Sequence, residues 1–381
     1  MMKERNTALV LGGGGSRGAY EAGVWQALTE LGIEFSMVCG VSVGSINAAL
    51  VAQGDVDKAN SLWKQIATDM VFDVSPDATA KDFALEFIKK GGASVTSLKA
   101  LVEKYLDEDA VRSSHIELGL LTTEFPSLKP CPLWISDIPE GKLADYIVAS
   151  SAAFPAVHYY EVDGVKYIDG GYSNNLPIPM ALDHGATDCI AVYMNAPGKY
   201  YPDQAENVDN VTLIKSNWDL GDFLVFDPNN SKRTVRLGYQ HTMKKFGAYD
   251  GDFFSFFKGA FDKRDLAAAD VTARIFDLDP LILYSREKFM DSMAEAVAAA
   301  RSEMELDVDM SFASIKSLRD LPAMDIIRGV AKVANRRTLT LFIADNIKTH
   351  GGSSIFLRRY TGKLLTDETM AARWLIRMEL V

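Results

Sequence analysis

Gly12-Gly13-Gly14-Gly15-Ser16-Arg17-Gly18, followed by Gly40-Val41-Ser42-Val43-Gly44, is the stretch that decides the fold. The first string follows Thr-Ala-Leu-Val-Leu at 7–11, a short apolar run with the character of a buried parallel strand. Residues 18–31 place Ala19, Ala22, Val24, Leu28 and Leu31 at helical spacing, and Gly32 stops the run. Residues 35–39 form a second apolar segment leading into Ser42, and 46–52 predict a helix directly after it. Strand, glycine loop, helix, strand, sharp turn, helix is an α/β pattern.

Further along, the signals are 118–123 and 132–135 as a strand pair, a small-residue helix at 146–153, and a strand at 165–168 delivering Asp169. A buried strand at 188–194 closes the pattern. Residues 60–110 are mainly helical in character, with Gly91-Gly92 as a break. Beyond Tyr200 a polar loop at 202–210 precedes mostly helical stretches, including 285–304 and 319–333. The expected division is an α/β catalytic domain over 1–200 and a largely helical region over 201–381.

The chain has 381 residues, 48% hydrophobic and 24% charged, enough for a core of ordinary size. Its formal net charge of −11 opposes bulk attraction to nucleic acid or to an anionic membrane. Cys39, Cys131 and Cys189 are too few and too scattered for a disulfide framework and read as reduced thiols. The polar N-terminus runs straight into a strand, leaving no signal-peptide apolar region. No apolar run approaches the ~18 residues of a membrane span. A cytoplasmic protein is the expectation.

The chemistry lies in three strings. An alcohol nucleophile needs exposure and a base. Gly40 and Gly44, two positions either side of Ser42, permit the tight strand-to-helix turn that exposes it. The glycine loop supplies backbone N–H donors for an oxyanion. Asp169-Gly170-Gly171 offers a carboxylate at a strand end that can serve as base. A histidine is the usual partner of a serine nucleophile. Of the five, only His158, just after Phe154-Pro155, is placed to approach the site; Asp169 is the better candidate. A rival reading exists, because Gly13-Gly14-Gly15-Ser16-Arg17-Gly18 fits G-x-G-x-x-G between a strand and a helix. A dinucleotide-binding oxidoreductase would then need Glu34 or a neighbour as its ribose-binding acid.

In this order, the three strings resemble the signature of the patatin-like phospholipases. Ala149-Ser150-Ser151-Ala152-Ala153-Phe154-Pro155 and Asn174-Asn175-Leu176-Pro177 are also similar to that family. The resemblance covers roughly residues 7–200. It implies a three-layer α/β/α fold with a mainly parallel sheet and a Ser42–Asp169 dyad without histidine. It also implies an oxyanion hole from Gly13, Gly14 and Gly15 with Arg17 nearby, and hydrolysis of lipid acyl esters through an acyl-enzyme. No metal or cofactor is expected. The expected partners are a lipid ester and transiently a membrane surface, with no nucleic acid. A non-catalytic lipid-binding or scaffold protein is the alternative.

Two aromatic clusters invite a choice. Phe253-Phe254-Ser255-Phe256-Phe257 with Phe261, and Phe223-Leu224-Val225-Phe226, read either as a lid meeting acyl chains or as apolar docking contacts. Lys348, Arg358 and Arg359 form a cationic stretch whose headgroup-binding reading is weaker than plain solvation.

Overall fold

A computed structural model describes residues 6–72, 94–306, 335–357 and 364–381. The chain forms two compact units, Met1–Lys245 and Phe246–Val381.

The first unit is built on eight strands: β1 (Thr7–Leu11), β2 (Met37–Val41), β3 (Glu117–Glu124), β4 (Pro130–Trp134), β5 (Tyr160–Val162), β6 (Val165–Asp169), β7 (Asp188–Tyr193) and β8 (Val211–Lys215). Their order is β5-β6-β3-β2-β1-β7-β8, with β4 pairing β3. The β3-β2-β1-β7-β8 run is parallel; β4, β5 and β6 pair antiparallel. The central strands are buried along nearly their whole length, as expected where helices cover both faces. The helices are α1 (Ala19–Glu30), α2 (Val43–Gln53), α3 (Val56–Trp63), α4 (Thr68–Val71), α5 (Thr96–Tyr105), α6 (Glu108–Arg112), α7 (Leu143–Ser150), α8 (Ile178–Asp183) and α9 (Pro228–Lys245). This is the three-layer α/β/α architecture that the resemblance implied. α8 packs on one face, where Val10, Cys39, Val41 and Ala191 meet Ile178 and Met180.

Register explains where the site forms. Leu11 pairs with Gly40, so the glycine loop and the Ser42 turn leave β1 and β2 at the same carboxyl edge. Val41 pairs with Leu121, and the next residue, Thr122, pairs with Asp169 on the antiparallel β6. Asp169 therefore ends its strand level with Ser42.

The sequence placed a domain boundary near residue 200; the compact units meet at 245/246. β8 adds to the sheet beside β7, and α9 lies against α1. A Cβ on Gly238 would fall 2.0 Å from the Tyr20 carbonyl oxygen, and one on Gly23 1.9 Å from that of Val235. Only glycine permits such an approach of two helix backbones. Gly238→Ala is expected to destabilise this unit by about 3 kcal/mol, since the clashing atom is backbone and cannot rotate away. Thermal unfolding of the full chain checks this, and an unchanged midpoint would mean that α1 and α9 separate freely.

The second unit holds α10 (Lys263–Ile275), α11 (Arg286–Leu306), α12 (Arg336–His350) and α13 (Thr366–Arg377). It also has three short strands, β9 (Tyr249–Asp250), β10 (Ser255–Phe257) and β11 (Leu283–Tyr284). Phe254, Phe256 and Phe261 are buried and pack with Tyr284, Phe289 and Trp374. Phe254, Phe256 and Phe261 are thus part of this unit's own core, whereas Phe257 is exposed. Lys348 donates to the carbonyl of Val381; Arg358 and Arg359, the 319–333 helix and the Gly91-Gly92 break lie outside the described residues. Among the described residues, no helix is long and apolar enough to cross a membrane. No group of three or more His, Cys, Asp or Glu among them could hold a metal ion.

Candidate active site

Ser42 sits between β2 and α2 at φ 55°, ψ −130°, a backbone conformation that L residues rarely adopt. The turn closes because its flanks lack side chains. A Cβ on Gly40 would stand 2.1 Å from the Gly44 oxygen, and one on Gly44 2.5 Å from that of Leu11. Two further bonds fix the elbow. The Ser42 N–H donates to Ser150 Oγ at 3.0 Å, and Ser150 Oγ donates to the Leu121 carbonyl at 2.7 Å. The N-terminus of α2 follows Ser42 directly, favouring negative charge at the same place.

The Ser42 side chain lies beside the Asp169 carboxyl and acts to lower its pKa. Asp169 Oδ1 also accepts the Gly171 N–H at 2.7 Å. Burial pushes this carboxyl up to about 6, while the bonds from Ser42 and Gly171 pull the other way. A carboxylate ionised at neutral pH, yet more basic than one in water, suits a general base. None of the five histidines lines the cavity. His158 is exposed, His184 stacks on Trp134, and His241 is bonded to the Tyr20 hydroxyl.

The glycine loop divides its labour. The Gly13 N–H donates to the Asn175 carbonyl at 3.1 Å, so it is not free to be the oxyanion donor that the resemblance implied. Gly14 and Gly15 line the cavity, and among the described residues their N–H groups meet no acceptor. Arg17 also departs from expectation. Its guanidinium donates to the carbonyls of Gly221, Met194 and Asn195, which makes it a clasp for the loops behind the site. Asn175, buried, returns a bond from Nδ2 to the Gly13 carbonyl at 3.3 Å. Glu34 lies ahead of β2, at the sheet edge opposite the glycine loop, since β1 and β2 run parallel. The strand geometry denies it a role in holding a dinucleotide at that loop.

Ser42 and Asp169 open into a cavity of about 440 Å³. Its far wall is apolar: Leu50, Leu62, Trp63, Leu98, Val102 and Phe226 are among the residues that face it. Trp63 stacks on Phe226 with centroids 6.3 Å apart. The 223–226 cluster thus belongs to the site, unlike the 253–261 one. Beneath Trp63 lies a buried polar chain. Trp63 Nε1 donates to Asn47 Oδ1 at 2.8 Å, and Asn47 Nδ2 donates to Glu21 at 2.7 Å and to the Gly18 carbonyl at 3.0 Å. Asn47 thereby ties the cavity wall to the end of the glycine loop. Asn47→Leu would leave the Trp63 N–H without its acceptor and the buried Glu21 without its Asn47 donor, and a loss of about 2–4 kcal/mol is expected in denaturant unfolding.

The sequence reading gave Ser150 and Asn175 no roles of their own; their only signal was the resemblance of the strings that contain them. Trp63 and Asn47 carried no signal, because a tryptophan on a helix reads as core.

Residues 9–182 match the model of the patatin-like phospholipases. A patatin-like phospholipase domain-containing protein of Caenorhabditis elegans, ZK370.4, is 32% identical over 196 residues, 48% of this chain and 13% of that protein. Lysophospholipase NTE1 of Saccharomyces cerevisiae is 26% identical over 245 residues, 61% of this chain and 13% of the yeast protein. The chain thus spans about an eighth of the length of these relatives. Among solved structures, VipD from Legionella pneumophila aligns over 99% of this chain and 92% of its own, with a TM-score of 0.45 and 14% identity.

Proposed function

We propose, from the match of residues 9–182 to the patatin-like phospholipase model and from the geometry of the site, that this chain hydrolyses acyl esters of lipids. Phospholipids and lysophospholipids are the substrates that best suit the reading. Ser42 Oγ attacks the ester carbonyl while its proton passes to Asp169 Oδ. The N–H groups of Gly14 and Gly15 receive the tetrahedral oxyanion. Collapse breaks the ester C–O bond, and the leaving alcohol takes the proton back from Asp169. The acyl group then rests on Ser42. Asp169 next draws a proton from water, whose oxygen attacks the acyl carbon, and the free acid departs as Ser42 regains its proton. The acyl chain occupies the apolar cavity.

One observation carries this reading. A half-buried serine at a strained turn and a buried carboxylate beside it both face one apolar cavity. Intact-mass measurement after exposure to a fluorophosphonate tests it. A single adduct, absent in Ser42→Ala, is expected. An unlabelled wild-type protein, in detergent as well as in buffer, would turn the reading toward a lipid-binding protein without turnover.

A further inference from the structure

We infer that the β3–β4 turn, the β5–β6 turn and the 154–159 loop form the edge by which this chain meets a zwitterionic phospholipid surface. The inference rests on the lipid-hydrolase reading above. Tyr172 both lines the cavity and is 41% exposed, so it marks where the cavity reaches solvent. Its hydroxyl donates to the carbonyl of Phe154, another cavity residue. From there an aromatic row continues outward. Phe154 and Phe125 lie with centroids 5.2 Å apart, and Phe125 stacks on Tyr159 at 6.0 Å. Tyr159 is 37% exposed, Val165 on the neighbouring turn 42%, and Leu128 at the β3–β4 turn 54%.

Leu128 is the most telling residue. It stands at φ 57°, where Asn or Gly is the natural choice, and more than half of its surface is in water. Neither backbone preference nor burial favours leucine there. An apolar side chain at a turn tip beside tyrosines is what an interfacial contact uses: the aliphatic group enters the acyl boundary and the tyrosines sit at headgroup level.

The charges decide which lipid. Lys166 Nζ lies 4.7 Å from the Tyr159 ring centre, and Lys129 follows Leu128. Glu161 stands opposite Lys166 in the ladder, and Asp163 pairs with Lys142 at 3.0 Å. The edge is balanced in sign and the chain is net negative at −11, so apolar insertion must supply the affinity. That selects a zwitterionic surface over an anionic one.

The test compares the full chain with Leu128→Asn/Tyr159→Ser. Asn suits the backbone at 128, and neither residue lines the cavity. Co-sedimentation with phosphatidylcholine vesicles should weaken about tenfold in the variant. Hydrolysis of vesicle lipid should fall with it, while kcat/KM on a soluble short-chain nitrophenyl ester stays unchanged. Replacing part of the phosphatidylcholine by phosphatidylglycerol should not strengthen wild-type binding. Equal vesicle binding by variant and wild type would overturn the proposal. So would a variant that merely changes from dimer to monomer in sedimentation velocity, which would make the patch a contact between copies. If the wild type binds vesicles through this edge yet cleaves no ester, the surface stands and the hydrolase reading fails.

Discussion

Replacing Ser42 with alanine is expected to lower ester hydrolysis by roughly 10⁴- to 10⁶-fold, the scale on which loss of a serine nucleophile acts elsewhere. The loss should appear in kcat, because the Oγ atom forms the bond that is made in the transition state and little of the binding surface changes. The fold should survive, since the elbow is held by the Ser42 N–H on Ser150 and by the Gly40 and Gly44 approaches, which alanine leaves intact. Ser42→Gly separates strain from chemistry. It should be equally inactive but more stable by about 1 kcal/mol, because the relief of a strained φ outweighs the extra freedom of glycine in the unfolded chain. Single-turnover kinetics together with thermal unfolding of both variants would check this. Residual hydrolysis within tenfold of wild type in Ser42→Ala would assign the chemistry to another group.

Asp169→Asn should lower kcat/KM by about 10³-fold, within the range removed by loss of a general base. Asparagine has the same shape and can still accept the Gly171 N–H, but it cannot take the Ser42 proton. In the wild type, kcat/KM on a soluble ester should rise with pH through an apparent pKa of about 6, following ionisation of Asp169. The stability consequence has the opposite sense. The folded carboxyl titrates about two units above its unfolded value, so between pH 4 and pH 6 the native state binds more protons than the unfolded state. Stability contributed by the neutral form is therefore fully present below about pH 4 and is lost as pH rises through 6. Two units correspond to at most about 3 kcal/mol. Asp169→Asn abolishes that slope, so at pH 8 the variant should be more stable than the wild type by about 2 kcal/mol, with the difference vanishing near pH 4. Unfolding midpoints at the two pH values measure it. A variant less stable at pH 8 would mean that the ionised carboxylate is held favourably, contrary to its burial.

The local frame of the site was legible in the sequence. Thr7 and four apolar residues running into glycine form β1, and the glycines around Ser42 form an elbow. The helices that follow begin where the chain can first resume regular dihedrals. Each of these is settled by residues within a turn of one another, through sterics and backbone hydrogen bonding that act at short range. The strand Val211–Lys215 was missed for a related reason: it is short and only half-buried, so its pattern blends into the polar stretch before it.

What the sequence could not fix depends on distant partners. Ser42 meets Asp169 because β6 joins β3 antiparallel in one particular register; a slip of one residue would turn the carboxylate to the other face. Gly13 loses its donor to Asn175, and Arg17 is drawn to three carbonyls, because those groups reach the loop only after β7 has paired with β1. The two phenylalanine clusters look alike as strings. Phe254, Phe256 and Phe261 enter the core of the second unit, while Phe223, Leu224 and Phe226 line the cavity, because burial energy depends on which surfaces the finished fold brings together and not on the string itself. The sequence by itself determined the turn that carries Ser42, the glycines that let it close and the α/β frame; tertiary structure alone decided which glycine-loop donors stay free and which apolar residues line the cavity, because both depend on groups far apart in the chain.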